Sequence, residues 1–395
     1  MAKKLSNYVK IKPMKTEPIR IAITGGASGG HLFPLISVTK AIKKEAEQKN
    51  WNIEIFYVGA PVFKKEILEE ENISYYPLAS SKIRRYFDPR NLIDILKFPL
   101  GIFQALKILY KFMPDAIFSK GGPGSLQVVF ASWLLKIPIL IHESDSIPGR
   151  TNLKSARFAT KIAVSFEQAK KYFPKNKTAL IGNPIDPDFD RLEPTNGDYE
   201  NLKLDKDRKI ILIQGGSQGA QKINDVIIES VPQILKMAQV VHQVGEKNFQ
   251  ETRLTAEGFI LEETPTKKSD YHAYGFIPHN NLIIIMKMAD LIISRAGGGA
   301  IFEIAAAGKP SILVPLPEEV AGRHQIENAY EYANTGACSV IEQPNFTTHI
   351  LNSVIKKILE DNETQKSMSE SAKQFAKPQA AQMIAKEIIY LITKE

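Results

Sequence analysis

The 395 residues carry 51 Lys and Arg against 43 Asp and Glu, a formal charge of +8, with 44% hydrophobic and 24% charged residues. This balance excludes a disordered or low-complexity chain and leaves room for two or three domains of about 150 residues. The single cysteine, Cys338, excludes a disulfide framework and a cysteine-rich zinc site.

The opening stretch MAKKLSNYVKIKPMKTEPIRIAITGG has no apolar core ahead of a cleavage site, so the expectation is a cytoplasmic chain without a secretory signal. Residues 1–18 read as an N-terminal extension. A strand over 19–24 opens into a glycine-rich turn and a helical pattern from Pro34 to about Lys49. Further strands are expected over 53–58, 116–119, 137–142 and 161–164, several followed by segments of helical length. That alternation predicts an α/β domain over 19–182, with a mostly parallel sheet covered by helices on both faces. Residues 183–208 are rich in Pro, Gly and acidic side chains with few apolar anchors, and read as the interdomain linker.

The pattern then restarts, giving a second α/β domain over 209–364. Its strands are expected over 210–214, 239–243, 272–276, 291–294, 311–314 and 338–341, and its helices over 221–235, 280–288, 299–307, 325–334 and 349–360. Residues 252–270 fit no regular period and read as an irregular insertion. The tail, 365–395, reads as one or two helices broken near Pro378 and able to cross back onto the first domain. No window reaches about 18 uninterrupted apolar residues, so no transmembrane span is expected.

Glycine-rich turns punctuate these strands. TGGASGGHLFP, 24–34, lets the backbone approach a charged oxygen, and free N–H groups at a helix start attract phosphate. It lacks the Lys and Ser or Thr of a P-loop and the dinucleotide fingerprint, so it reads either as an anion site or as a tight turn. His31, where this loop enters its helix, is a candidate general base or a capping histidine. IHESDSIPGRTN, 141–152, gathers His142, Glu143, Asp145, Arg150 and Asn152 at another strand end, where ligands collect in parallel sheets. SKGGPGS, 119–125, with Gly121 and Gly122, lies at a third. In the second half, QGGSQGAQKIN, 214–224, offers Gly216, Ser217 and Gly219 to phosphates. ISRAGGGAIFEIAAAGKPSILVP, 293–315, brings Gly297 and Gly298 to a helix start, with Glu303 a candidate for two ribose hydroxyls. GRHQIENA, 322–329, supplies His324, Gln325 and Asn328 for sugar hydroxyls, or an ordinary polar helix face.

Taken in order, these blocks resemble the MurG family over about residues 19–365. The resemblance implies a GT-B glycosyltransferase fold, two Rossmann-like domains facing a cleft. It implies inverting transfer of N-acetylglucosamine from UDP-N-acetylglucosamine to the muramoyl C4 hydroxyl of undecaprenyl-diphosphate-muramoyl-pentapeptide, a step of peptidoglycan synthesis. The acceptor side would comprise Gly25, Gly26, Ser28, Gly29, Gly30, Gly121, Gly122, His142, Asp145 and Asn152. The donor side would comprise Gly216, Ser217 and Gly219 at phosphate, the main chain near Ile277 at uracil, Gly297, Gly298 and Glu303 at ribose, and His324, Gln325 and Asn328 around the sugar. His31 is the first candidate for the base and Glu143 its rival. No cofactor and no metal are required by this reading, because helix-end amides and Ser217 would stabilise charge growing on the diphosphate.

Departures from the family pattern fall at Ser28, at Pro123 and Gly124, at Ile185 and Asp186 where an Arg is common, and at His324 in place of a glutamine; Ile185 and Asp186 together are expected to remove a nucleobase or phosphate contact. The charge is divided: residues 1–182 hold a net +15 and 183–395 a net −7. Within the basic half, 80–112 interleaves cations with apolar residues. Lys82, Arg84, Arg85, Tyr86, Phe87 and Phe98 make a patch suited to anionic membrane lipids at the cytoplasmic face of the cell membrane, or ordinary helices packed on a sheet. Cell-wall synthesis proteins are further partners under the resemblance. Competing readings are a nucleotide-sugar transferase for another lipid such as diacylglycerol and a catalytically impaired binding protein. Nucleic-acid binding is disfavoured, since no zinc or helix-turn-helix signature accompanies the charge.

Overall fold

The computed structural model describes residues 18–26, 29–62, 65–80, 90–215 and 220–393. In its first part, β1 (Ile19–Thr24), α1 (Gly29–Gln48), β2 (Ile53–Gly59), α2 (Glu66–Glu70), β3 (Ser74–Pro77), α3 (Arg90–Phe112), β4 (Ala116–Ser119), α4 (Ser125–Leu134), β5 (Ile139–Glu143), α5 (Arg150–Ser155), β6 (Lys161–Val164) and β7 (Thr178–Leu180) follow one another. The strands form one parallel sheet in the order β3-β2-β1-β4-β5-β6-β7. Successive side chains of a strand point to opposite faces, and β1 uses both: Ile21 and Ile23 join Leu32 and Leu35 of α1, while Ala22 joins Leu109 of α3 and Val128 of α4.

The second part repeats the plan. It contains α6 (Asn196–Leu202), β8 (Ile210–Gln214), α7 (Gln221–Ile234), β9 (Gln239–Gln243), α8 (Phe249–Glu263), β10 (Tyr271–Tyr274), α9 (His279–Met288), β11 (Leu291–Ser294), α10 (Gly298–Ala307), β12 (Ser311–Leu313), α11 (Glu318–Ala321), α12 (His324–Ala333), β13 (Cys338–Val340), α13 (Thr348–Glu360), α14 (Asn362–Phe375) and α15 (Ala380–Thr393). Its parallel sheet runs β10-β9-β8-β11-β12-β13. Ile211 and Ile213 of β8 pack with Ile223 and Ile227 of α7, and Ile210 and Leu212 with Ile301 and Ile304 of α10. Two parallel sheets, each sandwiched by helices, make the two Rossmann-like units of a GT-B fold.

Several elements differ from their sequence-based expectation. The first helix starts at Gly29, ahead of Pro34, which lies inside α1 and forfeits one backbone bond to the Gly30 carbonyl. Strands β3 and β7 escaped notice because they are short, partly exposed edge strands, SYYP and TAL, without an apolar run. The stretch 252–270 is regular after all: α8 buries only Thr252, Ala256 and Ile260, a stripe one residue wide at four-residue spacing, and a 3₁₀ turn over Pro265–Asp270 follows. The segment 183–208 has more anchors than its composition suggested. Ile185, Phe189 and Leu204 are buried in the same core as Ile210 and Leu212, and Thr195 and Asp198 cap α6 reciprocally.

The chain end ties the halves together. Phe375 of α14 packs on Phe302 and Tyr332, with ring centroids 5.0 and 4.9 Å apart, and on Phe166, which follows β6. After the break at 376–379, α15 lies on α1 and sends Ala381, Ile384, Ala385 and Ile388 into the core of the first sheet.

Candidate active site

Both sheets reverse strand order at their centre, between β1 and β4 in one and between β8 and β11 in the other. The crevice beyond the carboxyl ends at such a reversal is where parallel α/β sheets bind ligands. In the first sheet two glycine loops interlock there. Gly121 and Gly122 adopt φ of +80° and +86°, and a Cβ on Gly122 would stand 2.7 Å from the Gly26 Cα and 3.0 Å from His31 Nε2. Only glycine allows both the left-handed backbone and this approach. The Tyr57 hydroxyl, 2.9 Å from the Gly25 carbonyl and 2.8 Å from that of Ala60, fixes the start of the loop. At the other end of the β4 loop, Gly124 packs against the Ala60 backbone.

His31 sits at this junction, partly buried. Burial and the nearby Lys120 charge pull its pKa down to about 4, opposed by Asp145, so its imidazole is neutral at pH 7. His142 is wholly buried. Its Nδ1 accepts from Lys120 Nζ at 2.8 Å, which leaves the proton on Nε2 to be donated to the Gly182 carbonyl at 2.9 Å. Burial, then Lys120, holds its pKa well below the usual histidine range.

Glu143 is committed to its own loop. One carboxylate oxygen accepts from the Asp145 N–H, the other from the Gly149 N–H and Asn152 Nδ2, each at 3.0 Å. Burial raises its pKa, with the Asp145 charge adding to the rise and the Asp145 N–H, Asn152 and the Lys120 charge opposing it. Asn152 also donates to the His142 carbonyl at 2.9 Å, and its own Oδ1, beside Gly121, meets no donor among the described residues.

This loop reaches across to the second sheet. Asn328 of α12 donates to Asp145 Oδ1 at 2.8 Å and to the Ala296 carbonyl at 3.2 Å, while its Oδ1 accepts from the Ser146 N–H at 2.8 Å and hydroxyl at 2.9 Å. His324 Nδ1 donates to the Ile147 carbonyl at 2.8 Å. Gly298, at the start of α10, abuts the Ser144 carbonyl so closely that a Cβ would collide with it. Asn328, His324 and Gly298 therefore meet the acceptor-side loop in this arrangement, and the Asn328 amide group is saturated.

On the donor side, Ile277 N donates to Gln243 Oε1 at 3.3 Å, and Gln325 Oε1 accepts from the Leu316 N–H at 3.0 Å. Glu303, in the second turn of α10, has its pKa raised by burial. Gly297 precedes α10 and leaves open space where a Cβ would stand. Ser28, Gly216, Ser217 and Gly219, together with Lys82, Arg84, Arg85, Tyr86 and Phe87, lie outside the described residues; Gly29 and Gly30 form the first turn of α1. Among the described residues no group of three or more His, Cys, Asp or Glu converges to hold a metal ion.

Two features were missed. Lys120 stood unremarked inside SKGGPGS, and its three acceptors are scattered along the chain. Asp186, read as a lost contact, binds Lys40 of α1 at 2.9 Å and faces His279 Nε2 of α9 at 3.4 Å. The His279 ring stacks on Phe33 at 5.7 Å. Those partners, together with the Asp188 N–H, hold the Asp186 carboxyl well below the usual range despite its burial.

Residues 21–164 match the glycosyltransferase family 28 N-terminal domain and residues 210–384 its C-terminal domain. With two facing parallel sheets and glycine loops at both reversals, these matches define a two-domain GT-B glycosyltransferase. A UDP-N-acetylglucosamine--N-acetylmuramyl-(pentapeptide) pyrophosphoryl-undecaprenol N-acetylglucosamine transferase of Bacillus cereus is 36% identical over 374 residues, 93% of this chain and 99% of the relative. One of the same description from Clostridium botulinum is 36% identical, with 88% and 91% covered. The crystal structure of MurG from Acinetobacter baumannii superposes with a TM-score of 0.69 at 25% identity, over 94% of this chain and 99% of that one. The chain belongs to the MurG family. A UDP-N-acetylglucosamine 2-epimerase from Neisseria meningitidis, 14% identical with a TM-score of 0.65 over 94% and 99% of the two chains, shares the fold.

Proposed function

We propose that this chain transfers N-acetylglucosamine from UDP-N-acetylglucosamine to the muramoyl C4 hydroxyl of an undecaprenyl-diphosphate-linked muramoyl-pentapeptide. The observation that carries the reading is the likeness to transferases of that description across nearly the whole chain. In the proposed step the C4 oxygen attacks the anomeric carbon from the face opposite UDP, the C1–O bond to phosphate breaks with its electron pair, and the hydroxyl proton passes to a base. The backbone amides at the start of α10, with Ser217, would meet the charge developing on the diphosphate.

His31 is the proposed base. A neutral imidazole between two glycine loops is in the protonation state that accepts a proton, whereas both Glu143 oxygens are already held by N–H donors. Glu143, His142 and Asn152 would shape the acceptor wall from beneath. Glu303 is proposed at the ribose, the Ile277 main chain at uracil and Gln325 at the sugar.

A membrane-facing role fits α3. Leu100, Phe103 and Tyr110 are exposed along one stripe with Lys107 and Lys111, while Phe98 is partly buried. Among the described residues no helix is long and apolar enough to cross a membrane. A stripe of aromatic and cationic side chains supports peripheral docking on anionic lipid, which would bring the cleft toward a lipid-linked acceptor.

The test is acceptor-dependent UDP release by the purified full chain. Release should require the muramoyl lipid; release at the same rate without acceptor, or none with it, would overturn the reading.

A further inference from the structure

Lys120 directly follows β4 with 2% exposure, an ammonium almost fully withdrawn from water. Such a charge is tolerated when its N–H groups are met, and a neutral residue of the same size is generally cheaper to bury. Three acceptors meet this one: His142 Nδ1 at 2.8 Å, Asn183 Oδ1 at 3.2 Å and the Ser144 hydroxyl in contact. They come from β5, from the loop after it, and from the connection between the two sheets.

The contacts extend in both directions. By fixing the His142 tautomer, Lys120 also directs the Nε2–H onto Gly182, whose φ of +93° begins the connection. Three residues beyond Asn183, Asp186 holds Lys40 and faces His279 of α9. On the other side, Gly121 packs on Asn152, and Asn152 and Glu143 hold the loop that carries Asp145 and Ser146 to Asn328.

We propose that Lys120 is a positioning residue that locks the acceptor-side loop, Glu143 to Asn152, to the interdomain connection at Gly182 and Asn183. The loop geometry at the transfer centre and the alignment of the two domains are thereby set together. The kinetic part rests on the transfer reading above; the structural part does not.

Groups around the ammonium are His31 from α1, His142 and Glu143 from β5, and Asp145 from the following loop. Burial brings the Lys120 pKa down to about 8, against the pull of Glu143 and Asp145. Loss of the proton leaves two N–H groups for three acceptors, so the lock slackens as pH rises through that value.

The experiment compares the full-length protein with Lys120→Met, Asn183→Leu and the double variant. Each is assayed for kcat and KM from about pH 6.5 to 9.5, bracketing the lowered lysine value. Distances between spin labels at Glu47 and Glu262, exposed positions on α1 and α8, report domain alignment. Lys120→Met should lower kcat about tenfold or more with KM for UDP-N-acetylglucosamine within about threefold. It should also broaden the distance distribution and abolish the alkaline fall near pH 8, and the double variant should be no worse than the worse single one. Unchanged distance distributions, or multiplicative losses in the double variant, would overturn the proposal. If Lys120→Met fails to fold, Asn183→Leu alone must broaden the distribution. If the unmodified protein transfers no sugar, the functional reading falls while the distance measurement still decides the role of Lys120.

Discussion

Asn328 and Asp145 meet across the cleft, the amide donating to the carboxylate at 2.8 Å from a position 183 residues away in the chain. With the Ser146 N–H and hydroxyl on its other end, Asn328 bridges the acceptor-side loop and helix α12 without a spare polar atom. A sugar that engaged Asn328 would have to displace one of these partners, and its binding would then be coupled to the contact between domains.

Asn328→Asp places a second carboxylate against Asp145. Like charges in a buried setting raise one pKa and oppose closure. The expected loss in kcat is roughly a hundredfold, equivalent to about 3 kcal/mol, and exceeds that of Asn328→Ala. Steady-state kinetics across pH checks it: the deficit should shrink on acidification, as one carboxylate takes up a proton.

Glu143→Gln separates base from scaffold. A glutamine turns an NH2 group toward donors that now bond to carboxylate oxygen, leaving at least one buried N–H unmet at about 1–3 kcal/mol. Thermal unfolding should therefore shift downward by several degrees together with the fall in activity. Lost turnover with an unchanged melting temperature would instead return Glu143 to the role of base.

Acidification should destabilise the fold through neutral buried histidines. The pKa of His31 is held to about 4, that of His242 to about 3 and that of His142 well below 6.5, in each case chiefly by burial. Below pH 6.5 the unfolded chain binds protons that the folded chain refuses. Stability then falls toward pH 4, by up to about 1.4 kcal/mol per pH unit for each such histidine. His279 works in the opposite sense: with its pKa raised chiefly by its hydrogen bond to Asp186, its contribution is complete below 6.5 and is lost as pH rises through the raised value. Urea midpoints at pH 7 and pH 5 measure the balance, and the midpoint at pH 5 should be the lower.

Replacing Phe103 and Tyr110 together by serine removes the two most exposed aromatic side chains of the α3 stripe. Flotation with anionic vesicles should recover less of this variant than of the unmodified protein. Equal recovery would remove α3 from the membrane surface.

The legible parts of the chain are those whose physics is local. IRIAIT and IILIQ are buried on both faces and read as central strands, and the glycine loops after them announce close backbone approaches. SYYP and TAL, half-solvated at sheet edges, carry no such signal. Helix α8 hides because a single stripe of Thr252, Ala256 and Ile260 suffices for its contact. The site divides in the same way. Histidine and glutamate after β5 are visible as a motif, but the closure of Glu143 by its own loop depends on three-dimensional turns. The Lys120 contact to Asn183 spans 63 residues and the Asp186 pair with Lys40 spans 146, so neither leaves a periodic trace. Asp186 shows the limit most clearly: a departure from the family pattern reads only as something lost until its new partners are seen.

The most direct measurement offers UDP-N-acetylglucosamine with the muramoyl lipid and with diacylglycerol side by side, and identifies the products by mass spectrometry and NMR. The muramoyl lipid should gain one N-acetylglucosamine, joined at C4 with inverted configuration, and the diacylglycerol none. Glycosylated diacylglycerol, with the muramoyl lipid untouched, would contradict the assignment.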